Sequence, residues 1–163
     1  MALLPALAQQ IHPQDAAGLA LPLLFARSMG QLCGPMLLKK ESLTRFAAHT
    51  PRIIVCLGIF LTGYGVLPFL SGWTACALSM IFIAHLASNI LFAAGTFGVL
   101  SSFHLTQTAS ASGKAWRCQT LSASLFTGIA AMVAVGLGSV LALYTVSSAA
   151  LLLVALIMRR YRE

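Results

Sequence analysis

The sequence predicts an all-α fold: a polytopic membrane helix bundle of about five transmembrane helices. Three observations point to it. Apolar residues make up 59% of the chain and charged residues 8%, against about 45–50% and about 25% in soluble domains. The apolar residues gather into runs long enough to cross a bilayer, which takes about 20 residues of helix. The basic residues stand between those runs, in short clusters. Alternating ten-residue segments, the mark of a membrane barrel, are absent from the sequence.

Residues 1–16, "MALLPALAQQIHPQDA", carry no basic n-region and so do not read as a signal peptide. Their apolar part is too short to span, and they read as an outward-facing remnant of a helix. A five-helix bundle is expected over 17–163. Its first span is 17–38, interrupted by Arg27 and Gln31, with Pro22 and Pro35 expected to kink or end it. The second is 53–70, and Pro68 with Ser71-Gly72 separates it from the third, 73–103. That third run is longer than a bilayer needs, so it either tilts or emerges into water. The fourth is 118–136. Gly136 to Ser139 forms a turn into the fifth, 140–158.

Charge gives the bundle a direction. Lys39, Lys40, Arg45 and Arg52 follow the first span; Lys114 and Arg117 follow the third; Arg159, Arg160 and Arg162 follow the fifth. Five crossings put all three groups on one side, and the opposite connections contain no Lys or Arg. Basic residues in short loops stay cytoplasmic, so the C-terminus is expected inside and residues 1–16 outside. The net charge of +7 does not indicate nucleic acid, because it is not laid along one solvated face.

Several stretches resemble the C-terminal half of a major facilitator superfamily transporter, closest to the bacterial drug and siderophore exporters. "LLPALAQQ" and "AAGLALPLLFARSMGQLCGPML" are similar to the end of that family's seventh helix and to its eighth. "GIFLTGYGVLPFL" occupies the place of the ninth. "SSFHLTQTASASGKAWRCQTLSASLFTGIAAMVAVGLGS" resembles the end of the tenth, a cytoplasmic loop and the eleventh. Gln107 stands at the family's Gln position, and Lys114 and Arg117 occupy its basic turn, without the Arg-Gly-Arg form. The resemblance implies two six-helix halves with a substrate cavity between them, in a bacterial inner membrane. This chain is then the C-terminal portion of a secondary transporter that exports a small organic molecule such as a drug or siderophore. The N-terminal half, or a partner membrane protein, completes it, since alternating access needs two bundles. The reading from another class is a small non-transporting membrane subunit that packs its polar stripes against a partner.

Function in such a chain resides in polar residues inside the spans. His85 and Asn89 are four apart and share a helix face, which Thr96 extends. They line a cavity or bond a neighbouring helix. Arg27 and Gln31 form another such pair. An Arg in mid-bilayer costs about 2.5–3.5 kcal/mol on insertion scales, so Arg27 is expected to face a cavity, where it attracts an anionic or carbonyl-rich substrate, rather than lipid. Ser124 and Thr127 share a face of the fourth span, either bonding between helices or lining a cavity. Gly30 and Gly34, in a Gly-x-x-x-Gly, read as a packing surface.

Other chemistry finds little support. Asp15, Glu41 and Glu163 are the three carboxylates and all lie outside the spans, so no buried acid–base pair is available and no catalytic residue is assigned. No ligand set for a metal occurs at the right spacing. The cysteines are isolated, without Cys-x-x-Cys. No cofactor motif is present: Gly63-Tyr64-Gly65 lacks the strand–turn–helix setting of a dinucleotide loop. The partners expected are the lipid bilayer and a small-molecule substrate.

Overall fold

A computed structural model describes residues 3–12, 14–47, 50–70 and 72–160. Among these, every regular element is a helix: α1 (Leu3–Ile11), α2 (Ala16–Met36), α3 (Lys40–Ala47), α4 (Thr50–Val66), a 3-10 turn (Leu67–Phe69), α5 (Thr74–Ser102), α6 (Leu105–Leu137) and α7 (Ser139–Arg160). Four of them are long and apolar enough to cross a membrane: α4 with its 3-10 turn, α5, α6 and α7. The chain is therefore a multi-pass membrane protein, and its backbone polar groups are paired within helices as an apolar solvent requires. α2 has 21 residues, or about 30 Å of rise, but Arg27, Ser28 and Gln31 lower its hydropathy and it is not among those four.

The contacts show how the helices run. Gly30 of α2 lies against Phe82 and His85 of α5, and Gly34 against Leu86 and Asn89. Residue numbers rise together, so α2 and α5 are parallel. On α4, Gly63 meets Met80 and Ala84, whereas Phe60 meets His85; α4 is antiparallel to α5. Tyr144 of α7 reaches Gly65, and Val154 lies with Ile53 and Leu57, so α7 is antiparallel to α4. Phe126 and Ala130 of α6 share a cavity wall with Leu143 and Ser147 of α7. Direction thus alternates along α2, α4, α5, α6 and α7. Lys39, Arg52, Lys114, Arg117 and Arg160 all fall toward one end of the bundle. Arg162 lies outside the described residues.

The opposite end holds the main core. Asp15 caps α2 by accepting a bond from the Gly18 amide (3.0 Å). The preceding turn folds α1 back, so that Leu4, Leu7 and Ala8 are buried with Leu19, Leu23, Leu67, Ile81 and Leu143. The segment expected as a helix remnant is thus a short helix sealing that end. Two glycines with positive φ, Gly72 (79°) and Gly138 (87°), make the turns into α5 and α7. Only glycine takes this conformation cheaply, and both positions match the expected breaks. α2 continues through Pro22 and ends one residue after Pro35.

The connection between the third and fourth spans differs from expectation. Only Phe103 and His104 separate α5 from α6, and Gln107, Lys114 and Arg117 stand on a continuous 33-residue helix, not in a loop. Polarity at 105–117 marks contact with water, and it does not by itself break a helix that contains no Pro. Exposed residues along α6 record the transition. Exposed Gln107, Ser110, Lys114 and Arg117 give way to exposed Leu121, Leu125, Met132 and Val135. From Arg117 to Leu137 the helix rises about 30 Å, the thickness of a hydrocarbon core. The α5–α6 hairpin therefore projects beyond the bilayer at the basic end. Exposed Trp73 and Trp116, the two tryptophans of the chain, sit near the two boundary levels, where aromatic belts form. The basic segment after α2 is likewise structured, with α3 packed toward α5.

Two outcomes test this arrangement. In a chain with its native cysteines replaced by alanine, a membrane-impermeant maleimide is expected to label Ser42→Cys and Ser110→Cys from one side and Thr74→Cys from the other. Labelling of 42 and 110 from opposite sides would refute the helix order. Separately, a Cβ at Gly34 would stand 2.7 Å from the Leu86 carbonyl, whereas one at Gly58 would meet nothing within 4 Å. Gly34→Ala is expected to cost about 1–3 kcal/mol of stability by overpacking. Gly58→Ala is expected to be neutral or to gain up to about 1 kcal/mol, both read by thermal unfolding in detergent.

Candidate functional site

The site forms where the small residues of α2 and α4 let both helices close on α5. Gly30 abuts the Cβ of His85 from one side, and Gly63 abuts Ala84 from the other. His85 is thereby 4% exposed although it is a polar side chain in a membrane span. Its Nε2 and the Tyr64 hydroxyl share a hydrogen bond of 2.6 Å. Phe60 stacks edge-on to the imidazole, with centroids 5.7 Å apart, and tilts against Tyr64 at 5.1 Å. Phe60 and Tyr64 are one turn apart on α4, so a single face presents both rings. The Tyr144 hydroxyl of α7 donates to the Gly65 carbonyl at 2.6 Å, which fixes the far side of α4.

A cavity of about 270 Å³ opens beside this cluster. Its polar lining is Gln31, Tyr64, His85, Ser88, Thr127 and Ser147, drawn from α2, α4, α5, α6 and α7. Phe60, Phe126, Leu61 and Val146 supply apolar walls. A larger space of about 570 Å³ between α4, α5 and α7 is almost wholly apolar, with Ser102 at its edge. Convergent polar groups on an apolar wall, rather than volume, distinguish a binding site, so the smaller cavity is the candidate. His85 Nδ1 is buried and has no hydrogen-bond partner among the described residues. Leaving such a group unsatisfied costs about 1–3 kcal/mol.

The residues singled out by sequence are distributed unevenly around this site. Gln31, His85 and Thr127 line the cavity. Arg27 stands one turn before Gln31 on α2 and is half-buried. Asn89 is half-buried where α2 crosses, near Gly34, and its amide donates to the His85 carbonyl of its own helix at 3.1 Å. It is not among the cavity-lining residues. Thr96 lines a separate space of about 370 Å³ between α5 and α6, with Phe92, Trp116 and Gln119. The stripe begun at His85 thus winds from the cavity to the α2 contact and then to α6. Ser124 is exposed and is not among the cavity-lining residues. Gln107, Lys114 and Arg117 lie outside the cavity on the projecting part of α6.

Three cavity residues are not legible as site residues in the sequence: Tyr64, Ser88 and Ser147. A signal for Tyr64 exists, since a phenol inside an apolar span needs a polar partner. Ser88 follows His85 by three positions and shares its face. Ser147 carries no such signal, because α7 has several small hydroxyl residues in a row.

Compared with known protein families, curated proteins and solved structures, the chain matches none.

Tyr64→Phe removes one interhelical bond while keeping the ring. Interhelical side-chain bonds in membrane proteins are worth about 0.6 kcal/mol on average and up to about 1.7. A loss of stability within that range is expected on unfolding in detergent. A loss well beyond it would mean that the hydroxyl holds more of the bundle than His85.

Proposed function

We propose that the chain is the C-terminal helix bundle of a secondary active transporter of the major facilitator type. In this reading it lies in a bacterial inner membrane with its basic end cytoplasmic and exports a small organic molecule such as a drug or siderophore. The observation that supports it best is the cavity. Five helices of alternating direction each contribute a polar side chain to one partly open space, where polar groups in a membrane are otherwise costly. A purely structural bundle has no need to leave such groups around an open volume. The resemblance of the sequence to major facilitator helices eight to twelve is what suggests this class of transporter. Alternating access requires a second bundle rocking against this one about the shared site. That second bundle comes from preceding residues of a longer chain or from a separate polypeptide.

Roles within the site follow from its chemistry. Gln31, Ser88, Thr127 and Ser147 orient the substrate by hydrogen bonds, while Phe60 and Phe126 exclude water. His85 is the imidazole of the cavity, and imidazole is a side chain that proton shuttles commonly use, so it is the residue suited to link transport to proton movement. Tyr64 holds its ring in place.

The test has two parts. The coding sequence immediately upstream is expected to encode about six further spans, as one more half of such a transporter requires. Cells producing both halves are expected to extrude substrate faster than cells lacking them. His85→Gln should lower that rate several-fold while membrane expression stays near normal. If His85→Gln instead abolishes expression, the imidazole serves packing, and the non-transporting subunit becomes the better reading.

A further inference from the structure

Two of the spaces in the bundle meet over bare backbone. The space between α4, α5 and α7 and the one between α5 and α6 share Gly95 and Val99 as walls. A Cβ at Gly95 would meet nothing within 4 Å, so no neighbouring side chain fills the gap there. Together the two spaces form one cleft over the C-terminal part of α5, with α4 and α7 on one side and α6 on the other. No lining residue is common to this cleft and the cavity beside His85.

The level of the cleft identifies what it meets. Its α5 wall runs from Leu91 to Ser102, about 17 Å of rise toward the basic end. Its α6 wall includes Trp116 and Gln119, where the exposed residues of α6 change from basic to apolar. The cleft therefore begins in hydrocarbon and ends at the depth of lipid headgroups. Its inner part, at Leu57, Leu91 and Val154, is apolar. An apolar hollow does not hold water, whereas an acyl chain entering from the bilayer matches it. In the outer part the Ser112 hydroxyl is buried without a hydrogen-bond partner among the described residues. The Ser102 hydroxyl and the Trp116 indole add donors at the same depth.

Charge selects among lipids. Arg52 stands next to Ile53 on α4, and Arg160 follows Val154 by less than two turns on α7; both arginines are exposed. Lys39, Lys114 and Arg117 are exposed at the same end, where Glu41 is the one carboxylate among the described residues. Such a surface attracts anionic headgroups and gives no advantage to zwitterionic ones.

We propose that this cleft is a binding site for one anionic phospholipid of the leaflet at the basic end. One acyl chain lies along α5 over Gly95. The phosphate oxygens accept hydrogen bonds from Ser112 and Ser102 and pair with the flanking arginines. The site is independent of what the cavity beside His85 carries, and it serves a transporter and a non-transporting subunit alike.

The first experiment needs no variant. The full chain is taken from nanodiscs of equal phosphatidylglycerol and phosphatidylcholine into detergent, and its retained lipid is identified by native mass spectrometry. About one phosphatidylglycerol per chain is expected, at least about fivefold over phosphatidylcholine, the preference that one added basic contact gives. A second experiment locates it. With Trp73→Phe, Trp116 is the remaining tryptophan. Phosphatidylglycerol brominated on an acyl chain should quench its fluorescence more than brominated phosphatidylcholine at the same low mole fraction. Gly95→Leu, which fills the cleft where a Cβ has room, should erase that difference, and Arg52→Gln with Arg160→Gln should reduce it. Equal retention of the two lipids would overturn the proposal. A preference that survives Gly95→Leu would also do so, since it would mean diffuse attraction to the basic end. Disulfide-linked dimers of Gly95→Cys, in a chain without other cysteines, would put a second copy in the cleft and overturn it as well.

Discussion

The close approach of α2 to α5 is the contact on which the rest depends. In lipid the solvent is as apolar as the side chains, so burial of Leu or Ile gives little net attraction between helices. Close backbone packing takes its place, and that requires the absence of side chains at the crossing. Gly30 and Gly34 supply this on α2, where even a Cβ would intrude on the carbonyls of Phe82 and Leu86. Gly63 does the same from α4 against Ala84. Three glycines therefore determine that α5 is held on both sides, and that His85 sits at the centre.

That placement explains why a costly residue is tolerated. A histidine between two lipid-facing helices would be an isolated polar group in hydrocarbon. Between α2 and α4 it meets Tyr64 and Phe60, and its neighbouring polar residues on five helices surround one volume. The tyrosine bonds, Tyr64 to His85 and Tyr144 to Gly65, join α4 to α5 and to α7. Polar contacts thus supply the specificity of a bundle whose apolar surfaces are largely interchangeable.

The second constraint is the boundary between lipid and water. It acts on position along a helix rather than on backbone conformation. α5 and α6 exceed the thickness of the hydrocarbon core, and their excess gathers at the basic end. Lys114 and Arg117 mark where α6 leaves the lipid. The helix itself continues to Leu105 because nothing there stops it. Composition shifts in such a chain therefore locate the membrane surface more accurately than they locate helix ends.

The sequence by itself determined the helical class, the alternation of directions and the gathering of basic residues at one end. These follow from hydropathy and charge, which act on each segment separately. It also marked the turns at Gly72 and Gly138 and the packing glycines of α2, since glycine's missing side chain has few other uses there. Half of the cavity's polar lining was legible in the same way: Gln31, His85 and Thr127, with Arg27 beside them, are conspicuous because polar groups in a span are expensive. Tertiary structure alone decided which of these polar groups share a space. Helix rotation and crossing turn on sub-ångström backbone contacts, so Asn89 and Thr96, on the same face as His85 by spacing, part from it in the fold. Those same contacts bring Ser147 to the cavity from a position that no local pattern sets apart, and join it to Tyr64 and Ser88.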